Sequence, residues 1–214
     1  MRIAKEGWPF IIGFWLVAAL FWWLGHPGGT GWTIAFWVWI PVAVWCVAFF
    51  RDPERTGERG PDVVIAPADG LVVSIVDVDE PTFVSGRVQR IAIFMNVFDV
   101  HVNRYPMDGT VTYRQYNAGK FGHAAADKAS DVNEQSSVGL TTGKGKVLVR
   151  QIAGLVARRI ITDHTPGTAV VQGQRMGLIR FGSRVDVFLP PGATVAVRVG
   201  ERTQAGRTVI ARWN

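Results

Sequence analysis

Long uncharged hydrophobic runs mark the beginning of the chain. The run WPFIIGFWLVAALFWWL lies between Gly7 and Gly25, and a second run, WTIAFWVWIPVAVWCVAFF, extends from Gly31 to Phe50. Each is long enough to cross a membrane as a helix, because about 20 helical residues span a hydrocarbon core of roughly 30 Å. The short segment HPGGTG between them is typical of a tight turn. The pattern therefore predicts a transmembrane helical hairpin over residues 1–50.

The charges that flank the hairpin predict its orientation. Arg2 and Lys5 precede the first run, Arg51 and Arg55 follow the second, and the turn contains neither Lys nor Arg. Because basic residues flank transmembrane helices on the cytoplasmic side, both ends are expected in the cytoplasm. We therefore expect an inner (cytoplasmic) membrane protein whose remaining chain faces the cytoplasm. A cleaved signal peptide and a buried soluble hairpin fit less well, since a second apolar run follows at once and both runs are dense in tryptophan.

After a polar linker over residues 51–62, the pattern changes to short apolar runs separated by Gly, Pro and Asp. These runs predict strands at Val63–Ile65, Gly70–Val78, Arg87–Met95, Gly109–Tyr116, Ser136–Thr142, Lys146–Ile152, Arg158–Ile161, Leu178–Phe181, Arg184–Leu189, Thr194–Val199 and Thr208–Ile210. Only residues 120–133 favour a helix. Many short strands with little helix indicate a mainly β, sandwich-like or barrel-like domain over residues 63–214.

Charge and cysteine content limit the classes of partner. After position 50 the chain carries 21 of its 23 basic and 16 of its 17 acidic residues, so this part is net positive and suits an anionic membrane. The same charge is also compatible with a solvated basic surface that binds no specific partner. Zinc-finger spacing, a basic helix and aromatic RNA-binding motifs are missing, so we expect no nucleic-acid partner. The single cysteine, Cys46, excludes an intrachain disulfide and a CxxC site.

Three polar motifs interrupt the strand pattern and supply an acid, an imidazole and a hydroxyl. The motifs are PADG at 67–70, DVHVNRYP at 99–106 and RFGSRVD at 180–186. Asp69, His101 and Ser183 could form a catalytic triad, because the order of such residues along the chain is free. Each also has a structural explanation, since Asp-Gly suits a turn and Gly-Ser between strands suits a bend. The residues alone leave both explanations open.

Five ordered segments resemble the phosphatidylserine decarboxylase family, in its short bacterial and archaeal form. They are FFRDPER at 49–55, APADG at 66–70, FDVHVNRYP at 98–106, GKF with DKASDVNE between 119 and 134, and GLIRFGSRVDVFLP at 177–190. Their spacing is compatible with the family over almost the whole chain. The resemblance implies a carboxy-lyase that converts phosphatidylserine to phosphatidylethanolamine and carbon dioxide.

The resemblance also implies that the enzyme makes its own cofactor. Ser183 is expected to attack the carbonyl of Gly182, and the resulting cleavage would turn Ser183 into a pyruvoyl group that forms a Schiff base with the substrate amine. The products would be fragments 1–182 and 183–214, held together as a heterodimer, with further oligomerisation left open. The family implies no metal.

The resemblance assigns roles to further side chains. His101 resembles the processing histidine and Asp69 its acidic partner, a pairing that makes chemical sense because serine needs a base and the base needs an orienting group. Arg104 and Arg184 are candidates for binding the substrate carboxylate or phosphate, and structural ion pairs are equally open for both. Phe121 belongs to the expected substrate-side loop. Longer relatives have a histidine in place of Arg104 and LGST in place of FGSR.

Two other classes of function fit some of these features. A membrane-bound serine hydrolase would use Asp69, His101 and an uncleaved Ser183, although the chain lacks the GxSxG elbow of many such enzymes. A non-enzymatic, membrane-anchored β-domain that binds lipids would not depend on Ser183 at all. Self-cleavage distinguishes the decarboxylase from both.

Overall fold

The computed structural model describes residues 2–26, 28–119, 133–154, 159–180 and 183–213. It divides the chain into two units, residues 1–54 and 55–214. The helix expected over residues 120–133 lies outside the described residues except for Asn133, which forms a single β-bridge.

Two apolar helices dominate the first unit. Helices α1 (Trp8–Gly25) and α2 (Thr30–Phe49) confirm both predicted helices to within one residue at each end. The rings of Phe14 and Trp39 stack at 5.2 Å, and the Trp39 indole donates to the Phe14 carbonyl at 2.8 Å. Both helices are long and apolar enough to cross a membrane. Large apolar side chains point outward, as Trp23 does with 71% of its surface exposed, which suits contact with lipid tails.

Two short strands join the ends of this first unit. Strand β1 (Arg2–Ile3) pairs antiparallel with β2 (Arg51–Asp52), and a 3-10 turn at Lys5–Gly7 leads from β1 into α1. Strand β2 occupies the start of the stretch that the sequence predicted as a linker.

Antiparallel strands build the second unit. They are β3 (Val63–Ile65), β4 (Gly70–Glu80), β5 (Gly86–Met95), β6 (Val102–Arg104), β7 (Gly109–Asn117), β8 (Gln135–Thr142), β9 (Gly145–Ala153), β10 (Ile160–Thr162), β11 (Ala169–Val170), β12 (Arg175–Ile179), β13 (Ser183–Leu189), β14 (Ala193–Val195), β15 (Arg202–Thr203) and β16 (Val209–Trp213). Eight of them form one curled, half-barrel sheet in the order β11-β7-β8-β9-β13-β5-β4-β15. Two three-stranded sheets, β10-β12-β6 and β14-β16-β3, complete the unit and confirm a mainly β, barrel-like fold.

Strand β13 lies at the centre of the large sheet and is buried on both faces. All seven of its residues are buried, between β9 on one side and β5 on the other. Val185 and Val187 alternate with Arg184 and Asp186, so the first pair enters the main hydrophobic core and the second pair lies on the opposite face. Ser183 is the first residue of this strand and lies on the same face as the core-facing residues Val185 and Val187.

Candidate active site

Ser183 is held at the end of three adjacent strands. Its backbone pairs with Met95, the last residue of β5, and with Ala153, the last residue of β9. The Ser183 side chain is fully buried, and its hydroxyl donates a hydrogen bond to the Met95 sulfur at 3.4 Å. The predicted nucleophile therefore has a fixed backbone and a defined side-chain contact. Gly182 and Phe121, two other predicted site residues, lie outside the described residues.

His101 lies between β5 and β6, with its ring fully buried. Its Nδ1 lies 3.0 Å from the carbonyl oxygen of Asp99. Because a carbonyl oxygen can only accept, Nδ1 carries a proton, and Nε2 is the basic nitrogen of the neutral ring. The His101 carbonyl accepts the N–H of Ile179 at 3.4 Å, four residues before Ser183. The structure thus connects His101 to the segment that leads to the serine and gives its ring the tautomer of a general base.

A hydrogen-bonded turn positions the carbonyl that orients His101. The Asn96 side chain accepts the N–H of Phe98 at 2.8 Å, and the Asp99 carboxylate accepts the N–H of Asn96 at 2.9 Å. Asp99 also forms an ion pair with Arg202 on β15. Short side-chain contacts of this kind fix a turn without help from a regular element. Asp99 is therefore a second acidic residue at the site, which sequence reasoning missed although it lies within the FDVHVNRYP motif.

Asp69 lies immediately before β4 and has a largely buried carboxylate. One oxygen forms an ion pair with Arg55 at 2.7 Å, and the other accepts the N–H of Ala205 at 2.7 Å. Burial raises the pKa of the Asp69 carboxyl, and the charge of Asp99 adds to this rise, while Ala205 and Arg55 oppose it. A direct role of Asp69 in orienting the His101 ring stays a prediction.

The segment of Asp69 approaches the same end of the sheet as Ser183. Leu71 pairs with Phe94, and a Cβ atom at Gly70 would collide with the Phe94 carbonyl oxygen. Only glycine permits this close approach of β4 to β5. Since Met95 follows Phe94 and pairs with Ser183, the predicted acid and the predicted nucleophile lie at the same end of β4 and β13, the two strands that flank β5.

Arg104 lies beside the ion pair of Asp69. Its Nη1 donates to the Gly173 carbonyl at 3.1 Å. A Cβ atom at Gly206 would lie 2.8 Å from Arg104 Cδ and 3.3 Å from Arg55 Cβ, so both arginines pack against this glycine. Arg104 therefore lies near the candidate site, and substrate binding by its guanidinium stays a prediction.

Arg184 makes a buried ion pair within its own strand. Its Nε and Nη2 donate to the two carboxylate oxygens of Asp186 at 2.6 and 2.7 Å, and the side chains are 1% and 0% exposed. A guanidinium with one edge held in such a fork is well placed to stabilise the sheet. Of the two roles that the sequence left open for Arg184, the geometry favours the structural one.

Arg55 contacts Asp69 and Met95 contacts Ser183, and neither was predicted to belong to the site. Arg55 lies in the FFRDPER motif, which could have drawn attention to it, whereas Met95 reads as an ordinary core residue of β5. Among the residues that the structure describes, no cluster of three or more His, Cys, Asp or Glu side chains is arranged to bind a metal.

Comparison with known proteins places these residues in a family. A sequence profile described as Phosphatidylserine decarboxylase matches residues 42–211. The phosphatidylserine decarboxylase proenzyme of Symbiobacterium thermophilum is 46% identical over 211 residues, which cover 98% of this chain and 95% of that protein. The protein of the same name from Magnetococcus marinus is also 46% identical over 211 residues, covering 98% of this chain and 94% of its own length. The chain belongs to the phosphatidylserine decarboxylase family.

Proposed function

We propose that this chain is a phosphatidylserine decarboxylase proenzyme that cleaves its own backbone between Gly182 and Ser183. The observation that carries the proposal is the complete burial of Ser183 at the start of β13. A serine that attacks a lipid ester must be reachable by the lipid. An intramolecular nucleophile needs no such access, because the carbonyl it attacks belongs to the preceding residue. Burial of Ser183 in the uncleaved chain therefore favours self-cleavage over the serine hydrolase alternative, and cutting the bond to Gly182 is the step that we propose opens position 183 to the substrate amine.

In the proposed cleavage, His101 acts as the general base for Ser183. The serine oxygen bonds to the carbonyl carbon of Gly182, the bond from that carbon to the Ser183 nitrogen breaks, and the serine proton passes through His101 to this nitrogen. An ester now joins the two residues. Loss of the Ser183 Cα proton expels the Gly182 carboxylate and leaves dehydroalanine at position 183. Water then displaces the nitrogen as ammonia and leaves a pyruvoyl group.

The first position of β13 fits a pyruvoyl group. The main chain of the strand stays paired with β5 and β9 when the bond before Ser183 is cut, so Met95 and Ala153 still border position 183. The group supplies a carbonyl that accepts electrons when an amine substrate loses its carboxylate as carbon dioxide. His101, with its basic Nε2, is our candidate for holding the proton that must return to the substrate carbon.

The two fragments are expected to stay together after cleavage. Fragment 183–214 would contain β13, which lies between β5 and β9, and β16, which pairs with β3. Separating the fragments would expose the buried residues of β13 and break hydrogen bonds on both of its edges. This topology supports a tight, non-covalent heterodimer of the two fragments.

The substrate assignment comes from the names of the relatives, and the anchor supports it. Phosphatidylserine presents its head group at a membrane surface, and two helices of membrane-spanning length can hold the second unit close to that surface. The basic residues at both outer ends of the hairpin favour the cytoplasmic leaflet of the inner membrane.

Mass spectrometry of the purified full chain, combined with an activity assay, tests this proposal. We expect a 32-residue fragment, 183–214, with a blocked N terminus, and carbon dioxide release from carboxyl-labelled phosphatidylserine in mixed micelles. The Ser183→Ala variant should remain one chain of 23.5 kDa and release none. An active but uncleaved wild type, especially one labelled at Ser183 by a fluorophosphonate, would refute self-cleavage. A cleaved chain that leaves phosphatidylserine intact would refute the substrate.

A further inference from the structure

A chain of buried side chains leads away from the Ser183 hydroxyl. Ser183 donates to the sulfur of Met95 at 3.4 Å, and the amide nitrogen of Asn103 donates to the same sulfur at 3.7 Å. The Gln151 amide nitrogen donates to the Asn103 oxygen at 2.8 Å, and the Thr162 hydroxyl donates to the Gln151 oxygen at 3.1 Å. Ser183, Met95, Asn103 and Gln151 all have no exposed surface. The four side chains form one connected polar path inside a hydrophobic core.

The direction of each hydrogen bond fixes the orientation of both amides. Because the Thr162 hydroxyl donates to the Gln151 oxygen, the Gln151 nitrogen points to Asn103. The Asn103 oxygen accepts this bond, so its nitrogen points to the Met95 sulfur. The sulfur consequently receives donors from two sides, and its position is fixed by groups that come from other strands. Because the path is buried, an amide turned the other way would lose its hydrogen-bond partner on the neighbouring amide and could not replace it with water.

A sulfur acceptor suits a hydroxyl that must later surrender its proton. The backbone of Ser183 is already fixed by pairing with β5 and β9, so the torsion about its Cα–Cβ bond is the main remaining freedom. That torsion has three staggered positions, and the contact with Met95 selects one of them. Thioether sulfur accepts hydrogen bonds only weakly, so the hydroxyl can transfer its proton to a base without first losing a strong partner.

We propose that Met95, held in place by Asn103 and Gln151, is a positioning residue that keeps the Ser183 hydroxyl in the orientation for attack on Gly182. This inference rests on the proposed self-cleavage. In this proposal the hydrogen bond accepted by the Met95 sulfur, rather than the volume of the Met95 side chain, selects the orientation of the Ser183 hydroxyl. Asn103 and Gln151 act through Met95 and do not contact the reacting atoms.

The test replaces the sulfur without changing the shape of the side chain. In a chain carrying Met107→Leu and Met176→Leu, Met95 is the only internal methionine. This full-length chain is made by cell-free translation into lipid nanodiscs with methionine, selenomethionine or norleucine, and conversion of the labelled precursor is timed on denaturing gels. Selenium also accepts hydrogen bonds, whereas the norleucine methylene does not. We expect the selenomethionine and methionine proteins to cleave at rates within about twofold of each other. Norleucine should slow cleavage about threefold or more, because the Ser183 hydroxyl would then sample three rotamers instead of one.

Two further measurements separate positioning from packing and from failure of the proposed function. Gln151→Leu should slow cleavage of the protein that contains methionine, because Asn103 then loses the partner that orients it towards the sulfur. The same substitution should not slow the norleucine protein any further, because that protein has no sulfur to position. Thermal unfolding should show that the Ser183→Ala versions with methionine and with norleucine are both fully folded at the temperature of the cleavage assay. Equal cleavage rates with methionine and norleucine, or independent effects of Gln151→Leu and norleucine, would overturn the role of Met95 while self-cleavage stands. Absence of cleavage in the methionine protein would overturn both.

Discussion

Arg184 and Asp186 form a two-pronged ion pair on the central strand, with hydrogen bonds of 2.6 and 2.7 Å and almost no exposed surface. Removing one partner leaves a charge buried in a medium that solvates it poorly. Arg184→Met should therefore lower the free energy of unfolding by about 3 kcal/mol. This value is at the low end of the usual range, because Arg90 lies 4.0 Å from the Asp186 carboxylate and would still neutralise part of its charge. Urea unfolding of the uncleaved Ser183→Ala chain in detergent measures this loss.

The double variant Arg184→Met with Asp186→Leu is the matched control for this prediction. It removes the unpaired charge as well, so most of the lost stability should return. In a chain that can cleave itself, the same double variant should keep a KM for phosphatidylserine within about twofold of wild type. A stable, cleaved double variant whose KM rises tenfold or more would instead assign Arg184 to the substrate.

His101→Ala should accumulate uncleaved precursor. A positioned general base contributes about 10²- to 10⁴-fold to a rate, so cleavage should slow by at least about a hundredfold. Pulse-chase labelling followed by denaturing gels measures this rate. His164→Ala provides a control, because His164 also has a side-chain hydrogen bond, to Tyr105 at 3.2 Å, yet belongs to no predicted catalytic group. Cleavage of the His101 variant at the wild-type rate would rule out the proposed base.

Asp69→Asn should make stability less dependent on pH while it slows cleavage. Burial raises the pKa of Asp69, so the folded protein holds this proton more tightly than the unfolded chain does. The carboxyl therefore favours folding below its unfolded pKa of about 3.8, and that contribution is lost as the pH rises through the folded value. The amide of Asp69→Asn does not ionise, so the melting temperature of the Ser183→Ala chain should change less with pH in the variant than in its parent.

The difference in stability between parent and variant is the internal check. This difference should shift in favour of Asp69→Asn as the pH rises from 3.8, because only the parent then ionises a buried carboxyl. Arg55→Gln removes a cation that opposes the rise, so it should raise the pKa of Asp69 further and move this pH dependence upward. A difference in stability that is equal at all pH values would show that ionisation of Asp69 does not contribute to it.

The regular strands could be predicted from the sequence because their patterns are local. Every predicted strand overlaps an observed one, and Val63–Ile65 matches at both ends. Strands β1, β2, β6, β11 and β15 were missed, since two or three residues are too few to show an alternating pattern and their positions depend on distant partners. The predicted strand at Leu178–Phe181 lies instead at Arg175–Ile179, where β12 pairs with β6 and β10.

The chemistry-bearing residues could be found from motifs, but their contacts could not. Asp69, His101 and Ser183 are visible as polar residues between apolar runs. The ion pair of Asp69 with Arg55 and the contact of Ser183 with Met95 join residues that are 14 and 88 positions apart. No local pattern encodes such pairs, because the sheet register decides which residues meet. His101 illustrates the difference, since a backbone carbonyl that any residue could supply fixes its tautomer.

The orientation of the hairpin can be tested with single cysteines. In a Cys46→Ala background, Thr30→Cys places a thiol at the start of α2, and Thr56→Cys places one just after the first unit. Because basic residues flank only the outer ends of the two helices, the turn should reach the far side of the membrane while Thr56 stays in the cytoplasm. A membrane-impermeant maleimide added to intact spheroplasts should label the Thr30 variant and spare the Thr56 variant, which should react only after lysis. Labelling of the Thr56 variant in intact spheroplasts would reverse the orientation and would make the outer leaflet the source of substrate.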